Sequence, residues 1–260
     1  MLQNFTFRDN RHRKRTIEIL FENEHLLAVN KPSGLPVIPD RWDSTLPNLR
    51  DLVQRKYQSI LSTPKQLIWV VHRIDADTSG VVLFARSPEM HKALNVQFEK
   101  QQIKKIYLAI TRGYPPQENG VINQPIRKHP KRQYLMQVHP NGKPSETHYT
   151  VLEKLKRYCL LELSPKTGRT HQIRVHLAAL NTPLAIDPLY GSAEPIRLSD
   201  FKRRFRENKN IPSENRSLIE RLTLHAKSLE FRDPFTGTRR FLEAPIPKDF
   251  SALLKALRKW

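Results

Sequence analysis

The sequence has little cysteine and no long apolar run. Its single cysteine, Cys159, cannot form an internal disulfide or a cysteine-cluster zinc site, and its place in an apolar strand pattern predicts a buried small hydrophobe. No uninterrupted apolar stretch approaches the ~18 residues of a membrane-spanning helix. Residues 1–15 lack the apolar segment and cleavage site of a secretory signal. Together these absences predict a protein of the reducing cytoplasm.

Acidic residues are few beside the basic ones. The chain of 260 residues carries 45 Lys and Arg against 25 Asp and Glu, which gives a net charge of +20 and a pI near 10.3. So large an excess predicts a polyanionic partner, with nucleic acid as the first candidate and a membrane surface as a weaker one. A Gly-rich phosphate loop and a dinucleotide fingerprint are also absent, so no nucleotide cofactor is expected.

A polar loop, residues 72–79, lies between two predicted strands. Ile68–Val71 and Gly80–Arg86 are apolar and rich in β-branched residues, and the second is typical of a central strand. Loops placed by such strands often carry function. If the loop is extended, Arg73 and Asp75 lie on the same side of the backbone. The spacing alone favours a simple loop-capping role for Asp75.

Five motifs follow one another along the chain. They are VNKPSG at 29–34, HRIDADTSG at 72–80, KIYLAITRG at 105–113, KTGRTHQIRVHLAAL at 166–180 and LHAKSLEFRDPFTG at 224–237. In this order they resemble the motifs of the RluA-type pseudouridine synthases, enzymes that isomerise uridine in RNA to pseudouridine. The resemblance extends from about residue 17 to about residue 250. It implies an α/β (α+β) fold with a mixed, mainly antiparallel sheet flanked by helices and crossed by a central cleft.

The predicted organisation is a basic N-terminal arm, residues 1–16, and one catalytic domain, residues 17–260. The arm is expected to be mobile, either touching RNA phosphates or forming a solvated tail. Many family members carry an S4-type RNA-binding domain at the N-terminus, and sixteen residues cannot supply one. The chain therefore resembles the short, single-domain members, and we expect a monomer.

The resemblance assigns catalytic roles to Asp75, Tyr107 and Arg174. Asp75 would be the nucleophile or general base, Tyr107 would stack on the target base and assist proton transfer, and Arg174 would pair with Asp75. The last pairing has a physical reason, because a guanidinium beside a carboxylate in an enclosed site keeps the acid charged. By default Tyr107 would be a core residue, and Arg174 between Ile173 and Val175 needs a partner of some kind.

A larger set of residues is predicted to contact RNA. By analogy Arg73 fills the place of a flipped base, whereas an architectural role is favoured for Lys31. The basic residues at 127–132 are equally compatible with a charged surface loop, and those at 202–206 with an insertion helix. The full set is Arg73, His72, Lys31, Arg169, Arg127, Lys128, Lys131, Arg132, Lys202, Arg203 and Arg204.

No metal and no cofactor are expected. His171 and His176 lie near Arg174, but no Cys, Asp or Glu stands at a ligand spacing, so both are predicted to be structural. The isomerisation that the resemblance implies is redox-neutral and needs no cofactor. Two residues depart from the family pattern. Asn181 is a mild change because it tolerates a left-handed helix end, whereas Ile186 in place of glycine puts the local backbone in doubt.

The remaining elements follow from apolar spacing and caps. A helix is predicted after Asp43–Thr45, a second after Ser87-Pro88, and a third from a Thr170 cap to Leu180. Little regular structure is expected in 113–142. The other predictions are a hairpin of Ile17–Phe21 with Leu26–Asn30, strands at Ile106–Thr111, Thr147–Leu152, Arg157–Leu163, Leu222–Phe231 and Arg239–Leu242, and a closing helix at Phe250–Leu257.

The sequence therefore predicts a cytoplasmic RNA pseudouridine synthase that acts on ribosomal or transfer RNA. Two alternatives remain open. The first is a catalytically silent RNA-binding or ribosome-assembly protein on the same fold, because so basic a chain would bind RNA in either case. The second is a hydrolase with paired carboxylates, which is disfavoured because the predicted partner of Asp75 is a cation.

Overall fold

The structure is a computed structural model that describes residues 2–39, 43, 45–62, 65, 67–201 and 217–259. The chain forms two compact units, and its predicted division into an arm, 1–16, and one catalytic domain, 17–260, stays a prediction. Unit 1 comprises Met1–Ile106 and His225–Pro245, and unit 2 comprises Tyr107–Leu224 and Ile246–Trp260. Within the described ranges, no helix is long and apolar enough to span a membrane.

The described residues form a mixture of strands and short helices. The strands are β1 (Phe5–Arg8), β2 (Lys14–Glu22), β3 (Leu26–Lys31), β4 (Trp69–Val70), β5 (Ser79–Ala85), β6 (Lys104–Arg112), β7 (Asn119–Asn123), β8 (Ile126–Lys128), β9 (Met136–Val138), β10 (Glu146–Leu155), β11 (Tyr158–Pro165), β12 (Ile196–Arg197), β13 (Ser217–Ile219), β14 (Leu224–Arg232) and β15 (Arg239–Glu243). The helices are α1 (Leu49–Leu61), α2 (Pro88–Glu99), α3 (Gln172–Ala179) and α4 (Lys248–Lys259).

Unit 1 is organised around β5, whose seven residues are all buried. β5 pairs antiparallel with β3 and β4 and parallel with β14, while β1, β2 and β15 extend the sheet through antiparallel pairs. Helix α2 covers this core with Met90 and Leu94. The Ser87 side chain accepts from the Met90 amide and Pro88 opens the helix, which confirms the predicted start.

Unit 2 contains an antiparallel sheet in the order β6-β11-β10-β7, with two small ladders, β8–β9 and β12–β13. Alternation along β6 sends Leu108 into a core with Phe250 of α4, and Ala109 into a core with Leu177 of α3. The second core also holds Cys159, and burial raises the pKa of this thiol to about 11. The structure thus confirms the buried cysteine.

Several local predictions were wrong. Helix α1 begins at Leu49 with Asn48 as its cap, not after Asp43–Thr45. Helix α3 is capped by His171 in a left-handed conformation, with φ of 54°, and not by Thr170. Three short strands, β7 to β9, lie where little regular structure was expected.

The residues predicted to form a mobile basic arm, 1–16, include a strand of the unit 1 sheet. In β1, Phe5 to Arg8 pair with Ile17 to Lys14 of β2. Asn181 has φ of 57°, which confirms its predicted left-handed conformation at the end of α3. The hairpin of β2 with β3 and the paired strands β10 and β11 are also confirmed.

Gly80 pairs with Ala226 where β5 runs parallel to β14, and there is no room for a side chain at this position. Its φ is +119°, and a Cβ built there would lie 2.1 Å from the carbonyl oxygen of Ala226. Both the dihedral angle and the neighbouring backbone therefore require glycine.

Lys31 ends β3 with its side chain completely buried. Its Nζ donates to the carbonyl oxygens of Leu35 and Ala76 at 2.7 Å each and to that of Pro32 at 3.1 Å. The ammonium therefore ties the segment after β3 to the turn that contains Ala76. The RNA contact predicted for Lys31 is not supported, because its buried ammonium is held by carbonyl oxygens, and this geometry favours the architectural alternative.

We expect Gly80→Ala to lower the free energy of unfolding by about 3 kcal/mol, because the backbone of β5 or β14 must shift to admit the methyl group. Urea denaturation measures this loss. Gly168→Ala is the matched control, since a Cβ at residue 168 meets no atom within 4 Å. Equal stability of the two variants would contradict the close approach of β5 to β14.

We expect Lys31→Met to cost about 3 kcal/mol of stability, because the carbonyl oxygens of Pro32 and Leu35 lose the ammonium donor, whereas that of Ala76 keeps the Gly34 amide. Thermal and urea unfolding of the exposed Lys14→Met variant supply the comparison. A Lys31→Met protein as stable as the native one would show that these bonds of the ammonium do not stabilise the fold.

Candidate active site

The loop that carries Asp75 is part of unit 1 and joins β4 to β5. Asp75 is half-buried, and the buried side chain of Ile74 precedes it. The Thr78 amide donates to the Asp75 carbonyl oxygen at 3.1 Å, which closes a tight turn just before β5. Asp75 therefore lies in a short turn between two strands.

The residues that follow Asp75 are fixed by the segment after β3. The Lys31 ammonium donates to the Ala76 carbonyl oxygen, and Ser33 Oγ donates to the Asp77 carbonyl oxygen, both at 2.7 Å. Backbone positions on the C-terminal side of Asp75 are thus held by two side chains from another part of unit 1. Such support limits the movement of the carboxylate.

His72 begins the same loop but has a structural role. Its Nε2 accepts from the Leu83 amide at 2.9 Å, and its ring stacks on Phe98 with 5.0 Å between centroids. Burial, with a smaller contribution from the charge of Lys105, lowers the pKa of His72 to about 3. The ring is neutral near pH 7 and its Nε2 is occupied, so the RNA contact predicted for His72 is not supported. The neighbouring Arg73 is exposed.

Tyr107 lies at the beginning of the unit 2 part of β6. It is half-buried, pairs across the ladder with Leu163 and packs against the core that contains Ala109. The prediction that Tyr107 and Ala109 share one side of the strand is confirmed. The proposed stacking on a base stays a prediction.

Arg174 on α3 makes a buried, two-pronged ion pair with Asp187. Nε donates to Oδ2 at 2.8 Å and Nη2 to Oδ1 at 2.7 Å, and the side chains are 4% and 1% exposed. This geometry satisfies both oxygens and fixes the plane of the guanidinium. The sequence indicated that Arg174 needs a partner but did not identify Asp187. The pairing of Arg174 with Asp75 stays a prediction.

Asp187 and Tyr190 form a turn that supports Arg174. The amides of Leu189 and Tyr190 donate to Asp187 Oδ1 at 2.9 and 3.2 Å, and the Arg174 guanidinium carbon lies 5.2 Å from the Tyr190 ring centroid. Sequence reasoning missed both residues. One signal in the sequence could have identified Asp187. A buried arginine such as Arg174 requires an acidic partner, and an acid stands thirteen residues later, at 187, beside the altered Ile186.

Gln172 orders the loop before α3. Its Oε1 accepts from the Arg169 amide at 3.0 Å and from Thr167 Oγ1 at 2.7 Å, and its Nε2 donates to Thr147 Oγ1 at 3.0 Å. Arg169 itself is exposed, and its Nε donates to the Pro144 carbonyl oxygen at 3.1 Å. Arg169 is therefore held in a defined position at the surface, where a phosphate can reach it.

His176 is buried and neutral. It bonds Thr147 Oγ1 through Nδ1 and the Gln124 carbonyl oxygen through Nε2, each at 2.9 Å, and burial lowers its pKa. This confirms the structural role predicted for His176. Among the described residues, no group of His, Cys, Asp and Glu could hold a metal ion.

The β8–β9 hairpin carries several of the predicted RNA contacts. Lys128, Lys131 and Arg132 are exposed, whereas Arg127 is half-buried with its Nε shielded and without a hydrogen-bond partner among the described residues. Tyr134, two residues after Arg132, is 65% exposed. The other predicted contacts, Lys202, Arg203 and Arg204, lie outside the described residues.

Comparison with known proteins gives a consistent result. Residues 25–179 match the family model for RNA pseudouridylate synthase. Ribosomal large subunit pseudouridine synthase D of Nitrosomonas europaea is 38% identical over 259 residues, which cover 97% of this chain and 69% of that protein. The RNA pseudouridine synthase YhcT of Bacillus subtilis is 36% identical over 244 residues, 92% of this chain and 72% of that protein.

Among solved structures, human RNA pseudouridylate synthase domain containing 4 superposes with a TM-score of 0.69 at 27% identity, over 92% of each chain. The resemblance noted in the sequence and the α/β fold with a mainly antiparallel sheet are thus confirmed. The family model covers more than half of the chain, and relatives above 30% identity match most of it. The chain belongs to the RNA pseudouridylate synthase family and is an RNA pseudouridine synthase.

Proposed function

We propose that this enzyme converts a uridine of large-subunit ribosomal RNA to pseudouridine, with Asp75 as the group that acts on the sugar. The RNA is inferred from the relatives named for this substrate. The observation that carries the catalytic role is the support of the Asp75 turn by Lys31 and Ser33. A cytoplasmic location and a monomeric enzyme belong to the same proposal.

The proposed reaction is an isomerisation within one nucleotide. The bond between N1 of uracil and C1′ of ribose breaks, a bond between C5 and C1′ forms, C5 loses its proton and N1 gains one. Atoms and electrons balance without an oxidant or another reactant. The carboxylate of Asp75 would start this sequence either by attack on C1′ or by removal of the 2′ proton of the sugar.

A rigidly held carboxylate suits both routes. Attack on C1′ needs a fixed line of approach, and proton removal needs hydrogen-bond distance, so a displacement of ~1 Å costs about 100-fold in rate. The bonds at Ala76 and Asp77 restrict such displacement. We propose that Tyr107 stacks on the uracil. We propose also that Arg174, aligned by Asp187, pairs with Asp75 and keeps its carboxylate charged.

The uridine must leave its stack before Asp75 can reach the sugar. Base flipping costs roughly a few kcal/mol, least where the target is unpaired. We propose that Arg73, which is exposed two residues before Asp75, occupies the vacated position in the RNA. Arg169 and the exposed cations of the β8–β9 hairpin would bind phosphates, and this binding would offset part of the cost of base flipping.

We expect Asp75→Asn to lower pseudouridine formation by about 100- to 10,000-fold, because the amide cannot act as a base or nucleophile. The assay is conversion of uridine in an unmodified transcript of bacterial large-subunit ribosomal RNA, and RNA binding should be retained. Asp77→Asn, an exposed position in the same turn, is the matched control and should stay active.

Three outcomes would contradict this proposal. Undiminished product from Asp75→Asn would remove the carboxylate from the mechanism. RNA binding by the native protein without any product would favour the catalytically silent alternative, and release of free uracil would favour the hydrolase.

We expect the paired changes Lys131→Gln and Arg132→Gln to weaken RNA binding and to flatten its dependence on salt. Each lost phosphate contact reduces the slope of log K against log salt by about 0.7 to 0.9. Binding titrations across a range of salt concentrations measure the slope. The paired changes Lys248→Gln and Lys255→Gln, at exposed positions of α4, are the charge-matched control, and an equal effect there would show that only net charge matters.

A further inference from the structure

The turn after α3 connects two features that the proposed function treats separately. One is Arg174, and the other is the β8–β9 hairpin with its exposed cations. Tyr190 lies in this turn and contacts both, and all these elements belong to unit 2.

The ring of Tyr190 lies against Arg174. The guanidinium carbon is 5.2 Å from the ring centroid, while Asp187 holds the other side of the same guanidinium by two hydrogen bonds. The Tyr190 amide also donates to Asp187 Oδ1 at 3.2 Å. The position of the Tyr190 backbone and ring is therefore coupled directly to the position of Arg174.

The hydroxyl of Tyr190 binds the hairpin. Tyr190 Oη accepts from the amide of Met136, the first residue of β9, at 2.8 Å. Met136 pairs with Lys128 of β8 at the base of the exposed loop 129–135. The bond thus anchors the hairpin at the point where its two strands enter that loop.

The loop at the tip is internally ordered. His129 Nδ1 accepts from the amides of Lys131 and Arg132 at 3.2 and 3.1 Å, and the His129 amide donates to the Leu135 carbonyl oxygen at 2.9 Å. These bonds connect the cations of the tip to the base of the hairpin at Leu135 and Met136.

The same hydroxyl has a second partner at the start of α3. Tyr190 Oη lies 2.8 Å from Nδ1 of His171, the residue that precedes the helix in a left-handed conformation. Because Oη accepts from Met136, its own hydrogen can be donated to His171. Three segments of unit 2 consequently meet at one hydroxyl group.

We propose that Tyr190 is a positioning residue that holds the cation-bearing tip of the β8–β9 hairpin at a fixed place relative to Arg174. RNA bound at the tip is then aligned with the side chain that acts on Asp75. This inference rests on the proposed function, because it takes the tip as an RNA contact and Arg174 as part of the catalytic machinery. It adds a role for the hydroxyl that ion pairing of Arg174 does not require.

Two substitutions distinguish the contribution of the Tyr190 hydroxyl from that of the ring. Tyr190→Phe keeps the ring on Arg174 and removes the bonds to Met136 and His171. We expect KM for the ribosomal RNA transcript to rise about 5- to 10-fold, because the bond that anchors the hairpin at Met136 is lost, with kcat nearly unchanged. Tyr190→Leu removes the ring as well, and kcat should then fall together with the rise in KM.

Amide hydrogen exchange at Met136, followed by NMR in the free protein, tests the anchor without any enzymatic assay. Exchange should be faster in Tyr190→Phe and unchanged in Tyr114→Phe, a control at an exposed tyrosine elsewhere in unit 2. If Asp75→Asn remains active, the proposed catalytic role fails, whereas the exchange result still decides whether Tyr190 fixes the hairpin.

A double-mutant cycle tests whether Tyr190→Phe raises KM through the cations of the hairpin tip. If Tyr190 acts by aligning the tip, the paired changes Lys131→Gln and Arg132→Gln should raise KM less in the Tyr190→Phe background than in the native one. Fully additive effects would overturn the proposal. An equal loss of kcat in Tyr190→Phe and Tyr190→Leu, or unchanged exchange at Met136, would also overturn it.

Discussion

A buried cation must be surrounded by oxygen atoms, and this requirement fixes the surroundings of both proposed catalytic segments. In unit 1 the Lys31 ammonium is completely buried and draws carbonyl groups from two separate segments towards one point. In unit 2 the buried Arg174 guanidinium is held by Asp187 in a two-pronged pair. Desolvation makes any looser arrangement costly, so each cation acts as a fixed point from which the neighbouring turn is built.

Much of the fold could be predicted from apolar patterns. The run at β5 and the strands β10 and β11 have the β-branched and apolar character of buried strands, and each was placed within a few residues. Helix α2 was predicted well because Ser87 and Pro88 form an unambiguous start. The beginning of α1 was predicted wrongly, because several candidate caps precede it and only tertiary contacts decide among them. The short strands β7 to β9 lie in a stretch where proline and charge conceal the strand pattern.

The site was only partly predictable. The motif around Asp75 and the alternation that places Tyr107 beside Ala109 are local properties, and both are visible in the sequence. The partner of a buried side chain is not local. Asp187 and Tyr190 reach Arg174 because the chain turns after α3, and Lys31 and His72 are occupied by backbone groups whose positions depend on the folded sheet. Residue type suggested an RNA contact for both, whereas the burial and the hydrogen bonds of the two side chains favour structural roles.

The buried thiol of Cys159 has a practical value. It is the only cysteine of the chain, it is fully enclosed in the core of unit 2, and burial raises its pKa to about 11. Because the thiolate is the reactive species, this side chain should resist alkylation while the protein stays folded. A reporter cysteine introduced at an exposed site, such as the tip of the β8–β9 hairpin, would therefore carry a fluorescent or spin label alone. Spectroscopic study of RNA binding would therefore not require removal of the native cysteine.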